Sequence, residues 1–310
     1  EIFDFLNNSY THRIIYFTLY QAFLSSFICC LLAIPFSLAL NRHKHLKIVK
    51  IIISLCGFSF VIPSILIVYA VIKLFGNNGL LNTYFHIYNL FSFETIYGIK
   101  GILIAHIFLN TPFAARLFFQ NLNNIPSKYY EISRSIRLSY ISNIIKLEIP
   151  VIKQSLFTVF SIIFSLCFLS FAIVMALGGG PKYSSIEVSI YQYALFELNF
   201  NKAIILSFIQ IFICLFFVFI GFFKLKGSNF FEVDINSYFH PHKDVKFVII
   251  SDLVYILFFS LFLFSPILLI IFNFVRCDFN NIFLNINFIN AFFNSLIISI
   301  ITGSLVSIFG

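Results

Sequence analysis

The chain has 310 residues, of which 60% are hydrophobic and 10% are charged, with a net charge of +8. Soluble domains carry roughly 25% charged residues, so this composition excludes an ordinary soluble protein and indicates an all-α, polytopic membrane protein. The excess positive charge fits basic loops beside a membrane and does not indicate nucleic-acid binding.

Seven stretches are apolar enough to span a membrane, because a spanning helix needs about 20 largely apolar residues. In chain order they are approximately 14–40, 48–75, 97–117, 151–177, 203–223, 247–274 and 291–310. Four of them contain a proline, which predicts bent helices. Bends suit a bundle around a transport path, but they also occur as ordinary kinks.

Most Lys and Arg residues lie in the connections after the first, third and fifth spans. The positive-inside rule places these three connections in the cytoplasm. Residues 1–13 then lie outside the cytoplasm, and they carry no signal-peptide pattern. We therefore expect that a span upstream is missing and that the chain is a fragment.

Two connections on the outer side, 76–96 and 178–202, are long. The second begins with glycines and a proline, which end helices. Ser184 or Ser185 is expected to cap a short helix with Glu187 in its first turn. The candidate residues of an outer gate here are Gly178, Gly179, Gly180, Pro181, Glu187 and Tyr191.

Residues 126–150 form a charged, helix-compatible segment between two long apolar stretches. A short helix lying across a bundle can transmit a push from a soluble partner as a rigid body. The alternative is an amphipathic helix that lies on lipid.

This segment resembles the coupling loop of ABC-importer permeases. The residues that carry the resemblance are Glu131, Ile132, Ser133, Glu148 and Pro150. Arg137 stands where that family has a glycine, a departure that bears on how tightly the turn between two short helices closes. The resemblance implies that Glu131, Ser133 and Arg137 form or flank the contact with an ATPase.

A longer match covers residues 167–210, which resemble the branch of these permeases that takes up thiamine and ferric iron. The thiamine/thiamine-pyrophosphate permease fits best. The features that carry this likeness include Ser170 to Ala172, Leu177 to Pro181, Ile186 with Glu187, Ile190 to Gln192, and the segments 20–25 and 98–110.

The resemblance implies the helix bundle of a type I ABC-importer permease in a bacterial inner membrane. Residues 1–225 would form a first permease half without its opening helix, 226–246 a cytoplasmic linker, and 247–310 the start of a truncated second half. The substrate would be thiamine or thiamine pyrophosphate, delivered by a periplasmic binding protein near 76–96 and 178–200.

An ATPase subunit, as a dimer, would dock on 126–150. ATP would bind to that ATPase subunit, because this chain has no phosphate-binding loop. The chain itself is therefore not expected to be an enzyme or to hold a cofactor. The cysteines lie mainly in apolar stretches without metal-ligand spacing, so no metal is expected.

Polar residues within spans are candidates for function. His106 and Asn110 lie four residues apart on one helical face and are candidate path-lining residues, or partners in interhelical hydrogen bonds. Tyr191 and Tyr193 suit a cationic ring, or an interfacial aromatic belt. Asp252 is expected to pair with Lys246 or to face water.

Three other interpretations stay open. A ferric-iron permease shares the same glycine-rich region. A secondary transporter or channel would need acids in mid-membrane, and only Asp252 comes close. A non-functional truncated remnant is the third.

Overall fold

The computed structural model describes residues 5, 7–81, 83, 96–223, 246–275 and 286–309, and this part of the chain consists of helices and turns. The helices are α1 (Ser9–Arg42), α2 (Lys47–Phe58), α3 (Ser64–Phe75), α4 (Ile99–Asn123), α5 (Ser127–Ser135), α6 (Tyr140–Asn143), α7 (Ile149–Phe168), α8 (Phe171–Leu177), α9 (Ile186–Leu195), α10 (Phe200–Phe223), α11 (Lys246–Val275) and α12 (Ile286–Phe309). A π-helical turn, Ile144–Glu148, joins α6 to α7. The predicted all-α fold is confirmed.

Within the described residues, six helices are long and apolar enough to cross a membrane. Five of the predicted spans correspond to single helices, namely α1, α4, α10, α11 and α12. The expected number of about seven is therefore close.

Two predicted spans are each divided into two helices, so the prediction that each is one continuous helix was wrong. The stretch 48–75 divides into α2 and α3, with Pro63 immediately before α3. Each piece has 12 residues, about 18 Å at 1.5 Å per residue, which is too short to cross the bilayer core. The stretch 151–177 divides at Leu169 and Ser170, between α7 and α8.

The centre of the bundle is α1, which packs along α4 and α7. Small side chains line its buried face, including Ala22, Ser25, Cys29 and Ala33. Lipid tails are as apolar as the helices, so close van der Waals contact between small residues drives such packing. Ala105, Ala114 and Ala115 form the matching buried surface of α4.

The segment after α8 has the predicted local structure. Gly179 and Gly180 adopt φ values of +72° and +115°, which only glycine reaches without strain. Ser185 accepts a hydrogen bond from the Val188 N–H at 3.4 Å and caps α9, and Glu187 lies in the first turn. The expected short helix is confirmed.

The chain forms two compact units, residues 1–267 and 268–310. The sites described below lie in the first unit. In the second, the apolar window of α12 has no buried residues. The predicted linker 226–246 lies outside the described residues apart from Lys246, and the outer connection 76–96 does so at 82 and 84–95.

Candidate functional site

Residues 126–150 fold into two short helices joined by a tight turn. At the end of α5, the Leu138 N–H donates to the Ser133 carbonyl and the Arg137 N–H to the Arg134 carbonyl, both at 3.0 Å. This pair of bonds is a Schellman motif, which places one residue in the left-handed region. That residue is Arg137, with φ of +52°. The turn therefore closes with arginine in the position where the resembled family has glycine.

One side of this loop is exposed. Ile132, Ile136, Ile141 and Ile145 have 58% to 65% of their surface exposed. The charged side chains of Glu131 and Arg137 are exposed on the same segment. We call the six residues Glu131, Ile132, Ile136, Arg137, Ile141 and Ile145 the loop face. An exposed apolar patch with a charged rim is typical of an interaction surface.

The other side of the loop is buried. The Ser133 hydroxyl donates to Asn143 Oδ1, which ties α5 to α6. Tyr130 is buried, and its hydroxyl lies 3.4 Å from Glu148 Oε1 and 3.5 Å from Asn41 Nδ2. Of the predicted coupling residues, Ser133 and Glu148 therefore hold the loop from inside and do not belong to its exposed surface.

The π-helical turn sets the direction of Glu148. The Ile149 N–H bonds to the Ile144 carbonyl, five residues back instead of four. Pro150 follows at the start of α7. Proline has no N–H, and its ring clashes with the carbonyl four residues earlier in a regular helix, so a wider turn relieves the clash.

Glu148 joins a buried cluster of charges below the loop. Arg42, at the end of α1, donates from Nε and Nη2 to the two carboxylate oxygens of Asp252 on α11, each at 2.7 Å. Arg42 Nη1 lies 3.9 Å from Glu148 Oε2, and His43 Nε2 lies 3.1 Å from Asp252 Oδ2. We call Arg42, His43, Tyr130, Glu148 and Asp252 the ion network.

The ion network corrects the prediction for Asp252. Its carboxylate is buried and paired with Arg42 instead of facing water. The predicted alternative of a pair with Lys246 falls on a side chain outside the described part of the chain. Sequence reasoning missed Arg42 because its partner is 210 residues away. The available signal was that both side chains stand at the end of an apolar stretch, where an unpaired charge is costly.

A cavity of about 420 Å³ lies farther into the bundle. Its walls come from the two helix breaks, 59–63 and 169–170, and from the middle of α4. The lining side chains include Phe60, His106, Asn110, Phe113, Ser170 and Phe171. The breaks therefore create the space, and α4 supplies its polar groups.

The two predicted path-lining residues meet in this cavity. His106 and Asn110 are both buried. Ser25 Oγ on α1 lies 2.8 Å from His106 Nδ1, and Asn110 Nδ2 donates to Cys167 Sγ at 3.2 Å. The residues therefore bond between helices and also line a cavity, and their role in a transport path stays a prediction.

The predicted outer-gate residues extend from the end of α8 into α9. The Tyr191 ring contacts Phe171, which lines the cavity, with 5.1 Å between ring centroids. Gln210 donates a hydrogen bond to Glu187. Within the described residues, no group of His, Cys, Asp and Glu could hold a metal ion.

Comparison with known proteins gives consistent matches. A thiamine transport system permease protein ThiP of Haemophilus influenzae is 35% identical over 265 residues, covering 84% of this chain and 48% of the relative. ThiP proteins of Brucella abortus and Escherichia coli are 34% and 32% identical, over 66% and 67% of this chain and 38% and 39% of their own length.

The chain is therefore similar, over most of its length, to transport system permease proteins. A solved bacterial ABC transporter involved in the import of the acidic polysaccharide alginate matches the fold with a TM-score of 0.60 at 15% identity, covering 74% of this chain and 84% of that chain. No family model matches the chain. The chain spans about half or less of the length of the relatives described above.

The chain is a multi-pass inner-membrane protein, and its predicted site residues fall in three places. Glu131, Ile132 and Arg137 lie on the loop face, with Ser133 and Glu148 behind it and Pro150 where the loop enters α7. His106 and Asn110 line the cavity. The residues from Gly178 to Tyr191 run from the end of α8 to the middle of α9.

Proposed function

We propose that this permease is part of the membrane-spanning subunit of an ATP-driven importer for thiamine or thiamine phosphates. The support is the similarity to relatives named thiamine transport system permeases, at 32% to 35% identity. A substrate-binding protein would deliver the substrate near residues 178–200, on the periplasmic side.

The observation that carries the proposal is the two-sided construction of the loop at 126–150. Its outer side is the loop face, which has the composition of a docking surface. Its inner side reaches the ion network through Tyr130 and Glu148. A partner that binds the loop face would therefore push on α1 and α11 together, through Arg42 and Asp252.

The mechanism follows from this connection. A separate ATPase subunit, acting as a dimer, docks on the loop face from the cytoplasm. Closure of the dimer on ATP moves α5 as a rigid body, and the buried contacts carry the movement into the bundle. The path then alternates between the two membrane faces, because ATP stabilises one arrangement of the helices over the other.

The test uses the full-length permease reconstituted in proteoliposomes with its ATPase and binding protein. Replacing Glu131 and Arg137 together with alanine is expected to reduce the thiamine imported per ATP hydrolysed by roughly tenfold, the size of a typical coupling energy between sites. Membrane insertion should be unchanged, because both side chains are exposed.

Ser135→Ala is the matched control, since Ser135 is an exposed residue of the same helix, α5. It should import thiamine as the unchanged protein does. An unaltered ratio of import to hydrolysis in the double variant would contradict the coupling role. If the reconstituted transporter with the unchanged sequence imports no thiamine, the proposed substrate is wrong or the protein is a non-functional remnant.

A further inference from the structure

The cavity at the helix breaks has a lining that selects for one kind of ligand. Its 14 described lining residues are aromatic, aliphatic, serine, histidine and asparagine, with no carboxylate, lysine, arginine or tyrosine among them. Its volume of about 420 Å³ is within the range of roughly 300–1,000 Å³ that is usual for small-molecule sites. An apolar wall with a few polar groups is typical of such sites.

His106 has unused hydrogen-bonding capacity beside this cavity. Its Nδ1 is paired with Ser25 on α1. Its Nε2 is buried, and within the described part of the chain it has no hydrogen-bond partner. A buried polar atom without a partner is costly, so on a residue that lines a cavity it indicates a group that a bound ligand can satisfy.

Aromatic rings supply the second element of the site. Phe60, from the first break, stacks on Phe113 of α4 with 5.2 Å between centroids and 29° between planes. Phe171 adds a third ring from the other break. The faces of such rings attract organic cations.

We propose that this cavity holds the cationic heteroaromatic body of thiamine during transport, an inference that rests on the proposed function. His106 Nε2 and the Asn110 amide bond the polar edge of the aminopyrimidine ring. The phenylalanine rings face the thiazolium cation. Tyr191, behind Phe171, supports that wall from the outer side.

The same lining argues against two other ligands. Ferric iron is a hard cation that favours carboxylate and other oxygen ligands, and the lining residues offer none with a negative charge. A phosphate group would need Lys or Arg partners, which are also missing from the lining. The phosphates of a thiamine phosphate would therefore extend out of the cavity, and affinity at this site should be similar with and without them.

Two substitutions at one position separate ligand binding from packing. The amide of asparagine reaches about as far as Nδ1 of histidine, and that of glutamine about as far as Nε2. His106→Asn therefore keeps the bond to Ser25 and loses the ligand bond. His106→Gln keeps the ligand bond and loses the one to Ser25.

The measurement is binding of radiolabelled thiamine to the purified full-length permease with its ATPase, in detergent and without the binding protein. His106→Asn is expected to weaken binding roughly tenfold or more, and His106→Gln by less than about threefold. Thermal unfolding should show the opposite order, with His106→Gln the less stable of the two.

Equal losses, or a greater loss for His106→Gln, would overturn the inference and leave a packing role for His106. If neither variant folds, Asn110→Leu gives the same readout, and thiamine affinity unchanged in that variant overturns the site. Import by the unchanged protein is measured in parallel. Absence of import refutes the proposed function, whereas import with unaltered affinity in His106→Asn refutes only this site.

Discussion

The ion network and the cavity both place polar side chains among packed helices, but only the network contains charged groups. In the network, Arg42 forms two bonds to Asp252 and approaches Glu148, so the charges are paired across three elements. In the cavity, the His106 ring is bonded through Nδ1 and has no partner for Nε2 among the residues that the structure describes.

The difference indicates two separate tasks. Paired buried charges are costly to separate, so the network suits the transfer of movement between the loop and the helices. A neutral, partly satisfied site can exchange one partner for another at lower cost, which suits a ligand that must bind and leave. Coupling and recognition would then depend on different residues.

The largest expected effect comes from breaking the network. Asp252→Ala leaves the buried Arg42 guanidinium without its two-bond partner, and removal of one member of a buried ion pair typically costs about 3–5 kcal/mol. We expect a marked fall in the unfolding temperature and in the yield of inserted protein.

The triple variant Arg42→Met, Asp252→Leu and Glu148→Gln is the control, because it removes the cation and both carboxylates of the network together, and replacing paired buried charges by neutral groups is often neutral or stabilising. It should recover most of the lost stability. Equal instability of the single and triple variants would show that charge pairing is not what holds α1 to α11.

A smaller effect of opposite sign is expected on the loop face. Arg137 is held at φ of +52°, a conformation that costs a residue with a Cβ roughly 1–2 kcal/mol and costs glycine little. Arg137→Gly should therefore raise the free energy of unfolding by about 1 kcal/mol. Arg134→Gly, within α5, is the contrasting change, and it should be destabilising by about that amount. A loss of stability in both variants would contradict the strain at Arg137.

The smallest effect on stability is expected in the cavity. Among the described residues, Asn110 donates to a cysteine sulfur, which is a weak acceptor, and leucine has a volume similar to that of asparagine. The free energy of unfolding should change by less than about 1 kcal/mol, while thiamine binding weakens. A loss of stability in Asn110→Leu as large as that in Asp252→Ala would contradict the difference between the cavity and the ion network.

Local patterns in the sequence predicted much of this arrangement. Apolar length located the helices, and the four-residue spacing of His106 and Asn110 placed them on one face. Ser185 and Glu187 predicted the start of α9. These features depend on neighbours within a few residues, which is why they can be read from one chain.

The rest depended on contacts distant in sequence. Pro63 indicated a kink, whereas the chain leaves the helix at Ser59 and resumes at Ser64. Neither Leu169 nor Ser170 is a glycine or a proline, so no local signal in the sequence predicted the helix break that forms the second wall of the cavity. The pairing of Arg42 with Asp252 depends on how α1 and α11 pack.

The extra residue in the π-helical turn at Ile144–Glu148 has a geometric consequence. Each residue of a helix advances the side chains by about 100° around its axis, so one inserted residue rotates everything before it relative to α7. The turn thus fixes the rotation of the preceding residues about the helix axis. It determines the direction of the exposed isoleucines of the loop face while Glu148 stays buried. Insertion or deletion of a single residue there would redirect the whole contact surface without altering the helix that crosses the bilayer.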